Sequence, residues 1–201
     1  MKTSENTNLI RQAMTTCIAV HSGQVRRKSG LPYYTHPISV FSIVKKFKES
    51  RQIEALCCAS LLHDTIEDTT VTFSELKRDF GPVVANLVKE LTNDDEEKEK
   101  LGKEAYMNKK LLHLSNWALV IKLADILDNS SDNPTDFMLN RIYNNMKFLK
   151  ENRVLTTTQE KIYVQIIQLI SEYKPELIKK IDEKKKFNLF KFFSKEKIKN
   201  G

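Results

Sequence analysis

The sequence predicts an all-α fold, a bundle of roughly eight to ten helices. Three observations carry that expectation. Apolar residues recur at helical rather than alternating spacing along most of the 201 residues. Only 5 glycines and 5 prolines punctuate the chain. Hydrophobic residues make up 40%, enough for a real core, and Lys, Glu, Leu and Ile dominate, a composition that favours helix.

The first helix is read from Leu9, Ile10, Ala13, Met14, Cys17, Ile18 and His21. "SGQVRRKSGLPYYT" follows as a loop, with Gly30 and Pro32 as breakers, and Pro37 suits the first turn of the next helix. Val40, Phe41, Val44 and Phe47 form its stripe. "IEALCCASLLHD" is apolar nearly all round, which predicts burial. Thr72 with Glu75 makes a capping box for a short helix ending at Gly81, and Val83, Val84, Leu87, Val88 and Leu91 carry the next. "TNDDEEKEK" reads as a charged, solvated connection. Helical patterns resume over Met107 to Leu114, Trp117 to Asn129 and Phe137 to Leu149. Thr157 with Glu160 is expected to cap a last helix bearing Ile162, Ile166, Leu169 and Tyr173.

A domain spanning 1–173 and a lysine-rich extension, 174–201, are expected. The extension holds ten lysines and four acids, so it carries +6 of the net charge of +7 and leaves +1 for the rest. A nearly neutral body gives no reason to expect specific nucleic-acid binding. In the extension Phe187, Leu189, Phe190, Phe192 and Phe193 alternate with lysines. Membrane-surface contact is one reading of that pattern. A solvated segment packing some rings on the body is the simpler one.

The cysteines (Cys17, Cys57 and Cys58) are odd in number and lack zinc-finger spacing, which suggests reduced thiols. With no apolar signal core and no bilayer-length apolar run, a cytoplasmic protein is expected. Oligomeric state is not written in the sequence.

"LLHDTIEDTT" ends the apolar helix in His63, Asp64, Glu67 and Asp68. On a continuous helix His63 would neighbour Glu67, and Asp64 would neighbour Asp68. Such a cluster is either a polar helix end or a cation site. Acids at a helix C-terminus oppose the macrodipole unless a cation offsets them. Imidazole and carboxylate together suit Mn²⁺, Fe²⁺ or Zn²⁺. Glu67 and Asp68, one turn on, are placed to bind the ion's waters or move protons.

His36, just before Pro37, is either a further ligand or an ordinary turn histidine. Asp125, in "VIKLADILDN", sits among apolar residues, where a lone carboxylate is costly unless ligated or paired, for instance with Lys122. Asn129 follows one turn later. His21 is read as a core or pocket-lining residue, His113 as structural, and Trp117 as a core anchor.

Taken together, "HDTIED", "KLADILDN" and "GQVRRKSGLPYYTHP" resemble the HD-domain hydrolases of guanosine tetraphosphate, from about residue 10 to residue 170. These are the hydrolase half of RelA/SpoT-type enzymes and the small alarmone hydrolases. The resemblance implies an HD-domain bundle with His36, His63, Asp64 and Asp125 as ligands of one Mn²⁺. It implies that Glu67 and Asp68 organise the attacking water. Arg27, Lys28 and Ser29 would form the nucleotide loop, and Tyr33 and Asn129 further pocket positions. The implied reaction converts guanosine 3′-diphosphate 5′-di(tri)phosphate to GDP or GTP plus pyrophosphate.

This chain departs from the family's common "ADRLHN" at Ile126 and Asp128, and continues with Ser130, Ser131 and Asp132. Those changes leave the ligand set intact and thin the positive charge expected around the phosphates. Hydrolysis of another nucleotide, such as a nucleoside phosphate or NADPH, and nucleotide binding without turnover are the alternatives.

Overall fold

The computed structural model describes residues 3–48 and 53–177, with side chains from residue 8. Among the described residues ten helices follow one another: α1 (Thr3–Val20), α2 (Thr35–Phe47), α3 (Ile53–Leu62), α4 (Thr65–Asp68), α5 (Phe73–Leu91), α6 (Asp95–Leu101), α7 (Lys103–His113), α8 (Asn116–Ser131), α9 (Asp136–Asn152) and α10 (Thr157–Tyr173). The expected all-α architecture is thus observed. Strand pairing among these residues is a single bridge, Val25 to Pro32.

Two helices form the centre. α3 lies against α1, α2 and α5, while α8 packs chiefly on α2 and α10. α3 buries Leu56 through Leu62 on every side, as its uniformly apolar sequence requires. α8 adds Leu119, Ile121 and Leu123, all fully buried. Each such side chain contributes about 1.5–3 kcal/mol through removal from water. Cys17, Cys57 and Cys58 are free and buried in this core. Trp117 packs half-buried against it.

The helix boundaries follow local chemistry. Thr72 and Glu75 form the expected capping box, with Thr72 Oγ1 accepting from the Glu75 backbone. Gly81 then adopts φ 83° and ψ 166°, a conformation that side chains resist, and Pro82 follows it. α5 is therefore two helical segments joined at a kink, as the two separate apolar stripes required. Pro37 is the third residue of α2.

Two expectations need correction. "TNDDEEKEK" is not merely a connection: the Asp94 side chain accepts from Glu97 N and starts α6, with the acids of its first turn meeting the positive end of the helix. The last capping box is Thr156 with Gln159, one residue before the expected pair; Gln159 is buried and also donates to Asn116 O.

Among the described residues no helix is long and apolar enough to cross a membrane. The aromatic part of the lysine-rich extension lies outside the described residues. At its start, Lys174 Nζ pairs with Asp136 at 2.9 Å.

Candidate metal centre and substrate cleft

α3 stops at Leu62, and His63 and Asp64 occupy the turn that leads into α4. Thr65 Oγ1 donates to Leu62 O at 2.7 Å, which fixes that turn. His63 Nδ1 donates to Ser60 O at 2.8 Å, so its Nε2 points inward with a free lone pair when the ring is neutral. That Nε2 is buried and lacks an aligned hydrogen bond, although Asp64 Oδ2 stands 3.1 Å away.

His36 enters from the first turn of α2 with the same polarity. Its Nδ1 lies 2.6 Å from Asp128 Oδ2, and its Nε2 faces Asp64 Oδ2 at 3.5 Å and Asp125 Oδ1 at 3.2 Å. The two imidazole rings stand 5.2 Å apart, edge to face. One ligand atom each from His36, His63 and Asp125 falls within 4.8 Å of the others. Three separate segments thus bring two imidazole nitrogens and the Asp125 carboxylate together, with Asp64 against both imidazoles.

The electrostatics match that geometry. Burial alone would lower both histidines, but hydrogen bonds to Asp125 and Asp128, with the fields of Asp125 and Asp64, raise His36 to about 10. Asp64 likewise raises His63. Burial would raise Asp64 and Asp125. The charge of His63 holds Asp64 low, and that of Lys122, followed by His36, holds Asp125 low. The site demands positive charge beside two ionised carboxylates, which protons on Nε2 or a divalent cation both supply. Outward-bonded Nδ1 atoms, buried Nε2 atoms facing carboxylates and a mixed imidazole–carboxylate donor set all fit a divalent transition ion.

Asp125 makes the expected pair with Lys122 and keeps its other oxygen toward His36. Lys122 Nζ donates to its Oδ2 at 2.7 Å, whereas Oδ1 faces His36 and accepts from Asn129 Nδ2 at 2.5 Å. Asn129 therefore orients a candidate ligand as well as lining the cleft.

The i/i+4 expectation for the acids holds in part. Tyr33 Oη donates to Asp64 Oδ2 at 2.6 Å and stands 3.0 Å from Asp68 Oδ2, joining those two carboxylates. Burial and the field of Asp64 raise Asp68. Glu67 spends its carboxylate on Asn93, accepting from the backbone N at 3.0 Å and from Nδ2 at 2.9 Å. The turn at His63–Asp64 breaks the continuous helix that would have set His63 beside Glu67.

A cleft of about 550 Å³ opens over the centre, lined by Arg27, Lys28, Tyr33, His36, Asp68 and Asn129 among others. Arg27 and Lys28 are exposed there, and Lys28 Nζ reaches Met138 Sδ at 2.9 Å. Their turn is closed by Arg26 N to Leu31 O at 2.8 Å and Gly30 N to Arg26 O at 2.9 Å. Ser29 lies exposed in the same turn, outside the lining. A second cleft of about 280 Å³ shares Asn129 and Met138 and includes Lys98, Lys103, Lys122 and Arg141.

Several of these residues escaped sequence reasoning. Arg26 pairs with Asp128 at 2.8 Å and Asp132 at 2.9 Å, next to the exposed Arg27 and Lys28. The only sequence signal was the i/i+4 spacing of those two acids. Met138 and the basic residues of the second cleft carried none. His21 is buried as expected, with Nδ1 2.8 Å from Gln24 Oε1 and its ring 4.9 Å from that of Tyr33. His113 Nδ1 donates to Lys109 O at 2.7 Å, a local structural bond.

Fold and site together define a helical domain with a candidate divalent-cation centre beside a cleft that carries Arg27 and Lys28. The chain belongs to the HD domain family, which residues 13–129 match. It is 42% identical over 103 residues to the guanosine-3′,5′-bis(diphosphate) 3′-pyrophosphohydrolase MESH1 of Danio rerio, a match covering 51% of this chain and 56% of that one. To a GTP pyrophosphokinase of Streptomyces coelicolor it is 44% identical over 114 residues, covering 54% of this chain and 13% of the relative. The chain thus spans about half of one curated relative and a small part of the other. A solved structure described as a metazoan ortholog of SpoT that hydrolyzes ppGpp superposes with a TM-score of 0.68 at 25% identity, over 83% of this chain and 96% of that one.

Proposed function

We propose that this chain is a Mn²⁺-dependent 3′-pyrophosphohydrolase of the cytoplasm, acting on guanosine 3′-diphosphate 5′-di(tri)phosphate through the unit spanning residues 1–173. The observation that carries the proposal is the approach of His36 to His63, Asp64 and Asp125, with His36 also lining the cleft that Arg27 and Lys28 wall. Those four side chains would hold the ion. Mn²⁺, when bound, supplies Lewis acidity to the phosphate and lowers the pKa of a bound water.

The reaction splits the bond between the ribose 3′ oxygen and phosphorus. Water adds its oxygen to phosphorus, and the proton it loses is balanced by the one that the 3′ oxygen gains. Asp68, raised and joined to Asp64 through Tyr33, is the group placed to hold that proton in passage. Glu67, whose two carboxylate oxygens accept from Asn93, would help orient that water. Arg27 and Lys28 offer a planar fork and a point charge to the nucleotide, with Ser29 beside them. Asn129 holds the Asp125 carboxylate in place.

Incubation with guanosine tetraphosphate and Mn²⁺, followed by product identification, tests the reading. GDP and pyrophosphate are expected, and chelation abolishes them. Release of orthophosphate, or turnover of NADPH or a nucleoside phosphate in its place, moves the activity to another HD substrate. Saturable binding without turnover makes the chain a nucleotide binder.

A further inference from the structure

Asp128 lies outside the proposed ligand set, yet it is 5% exposed and follows Asp125 on the same helix. Its Oδ2 accepts from His36 Nδ1 at 2.6 Å and meets Arg26 at 2.8 Å. A buried carboxylate needs partners of this kind, and here both meet the same oxygen, Oδ2. One is an imidazole whose other nitrogen faces Asp64 and Asp125. The other is the guanidinium at the base of the loop that carries Arg27 and Lys28. Asp132 Oδ2 accepts from Arg26 Nε at 2.9 Å, whereas His36 Nδ1 bonds Asp128, so the two acids differ in what they touch.

We propose that Asp128 is a positioning residue: it fixes the Nδ1–H tautomer of His36, leaving Nε2 as the donor to a divalent cation, and ties that imidazole through Arg26 to the nucleotide loop. A carboxylate behind a metal-binding imidazole raises the basicity of the ligand nitrogen and locks the ring orientation. The inference rests on the cation-centre reading above.

Isothermal titration of the full chain with Mn²⁺ alone tests it, with no substrate and no turnover. Asp128→Ala is expected to weaken Mn²⁺ binding by about 10- to 100-fold. Asp128→Asn, whose carbonyl still accepts the Nδ1 proton, is expected to recover part of that loss. Asp132→Ala, which touches only Arg26, is expected to stay within about threefold of wild type. This graded order distinguishes ring orientation from loop packing. Asp128→Ala binding as tightly as wild type overturns the proposal, and so does equal weakening by Asp132→Ala. Should Asp128→Ala fail to fold, the isosteric Asn variant decides: weakened binding supports the role and unchanged binding overturns it. Wild-type protein that binds no Mn²⁺ overturns the cation centre itself, and this inference with it.

Discussion

The Tyr33 hydroxyl bridges Asp64 and Asp68, at 2.6 Å from one carboxylate oxygen and 3.0 Å from the other. A hydroxyl has one proton to give, and the shorter contact takes it. The Asp68 contact then requires either a second proton or tolerance of two facing oxygens. Burial and the field of Asp64 raise Asp68, while the Tyr33 contact lowers it. Tyr33→Phe should therefore lower kcat by about tenfold or more, since hydrogen bonds to charged groups are among the stronger ones. Steady-state kinetics on guanosine tetraphosphate check this, and an unchanged kcat removes Tyr33 from the mechanism.

Asp64→Ala leaves two imidazoles facing one carboxylate. Hydrolysis should fall by about a thousandfold or more, since the affected groups act as a unit. Circular dichroism of the variant guards against simple unfolding. Retention of full activity would falsify the ligand assignment.

Removal of the ion should also be visible without substrate. Ligands from α2, the α3–α4 turn and α8 are held together by whatever positive charge sits among them, so a bound ion stabilises the fold by mass action. EDTA should lower the melting temperature, and added Mn²⁺ should restore it. No change on chelation argues against a tightly held ion.

A pH dependence follows from His36. In the metal-free protein it keeps its proton to about pH 10, against 6.5 for an ordinary imidazole. A raised folded-state value means that its stabilising contribution is complete below pH 6.5 and is lost as pH climbs through 10. The melting temperature of EDTA-treated protein should fall across that window, and the fall should shrink in His36→Gln. Mn²⁺ competes with the same proton, so its affinity should rise by up to about tenfold per pH unit over the interval.

Gly81 offers a test of the fold alone. A Cβ added there meets nothing within 4 Å, so the cost of Gly81→Ala comes from its backbone angles. The variant should lose about 1–3 kcal/mol of stability by denaturant titration, with the m-value unchanged.

Much of this molecule was readable in the residues. The period of Leu9 to Cys17, the all-apolar α3 and the Thr72–Glu75 box report local physics that tertiary packing then confirms. α6 escaped because its helix depends on an Asp94 cap and first-turn acids, with no buried residue and hence no apolar period to read. The His63–Asp64 pair and Asp125 stood out because charge at the end or interior of an apolar helix is costly. The Arg26–Asp128–His36 connection was invisible, since it joins residues 92 and more positions apart that no local rule relates. Glu67's attachment to Asn93 was hidden by the turn that interrupts α3.

The three cysteines have a practical consequence. Cys17 on α1 and Cys57 and Cys58 on α3 are at most 1% exposed, and burial pushes their thiols up to about 12, 11 and 12. Alkylating reagents attack the thiolate, so the native molecule is chemically silent toward them. Labelling then proceeds only through excursions that lift α1 or α3 away, and its rate becomes a clock for how often the helix leading into His63 comes loose.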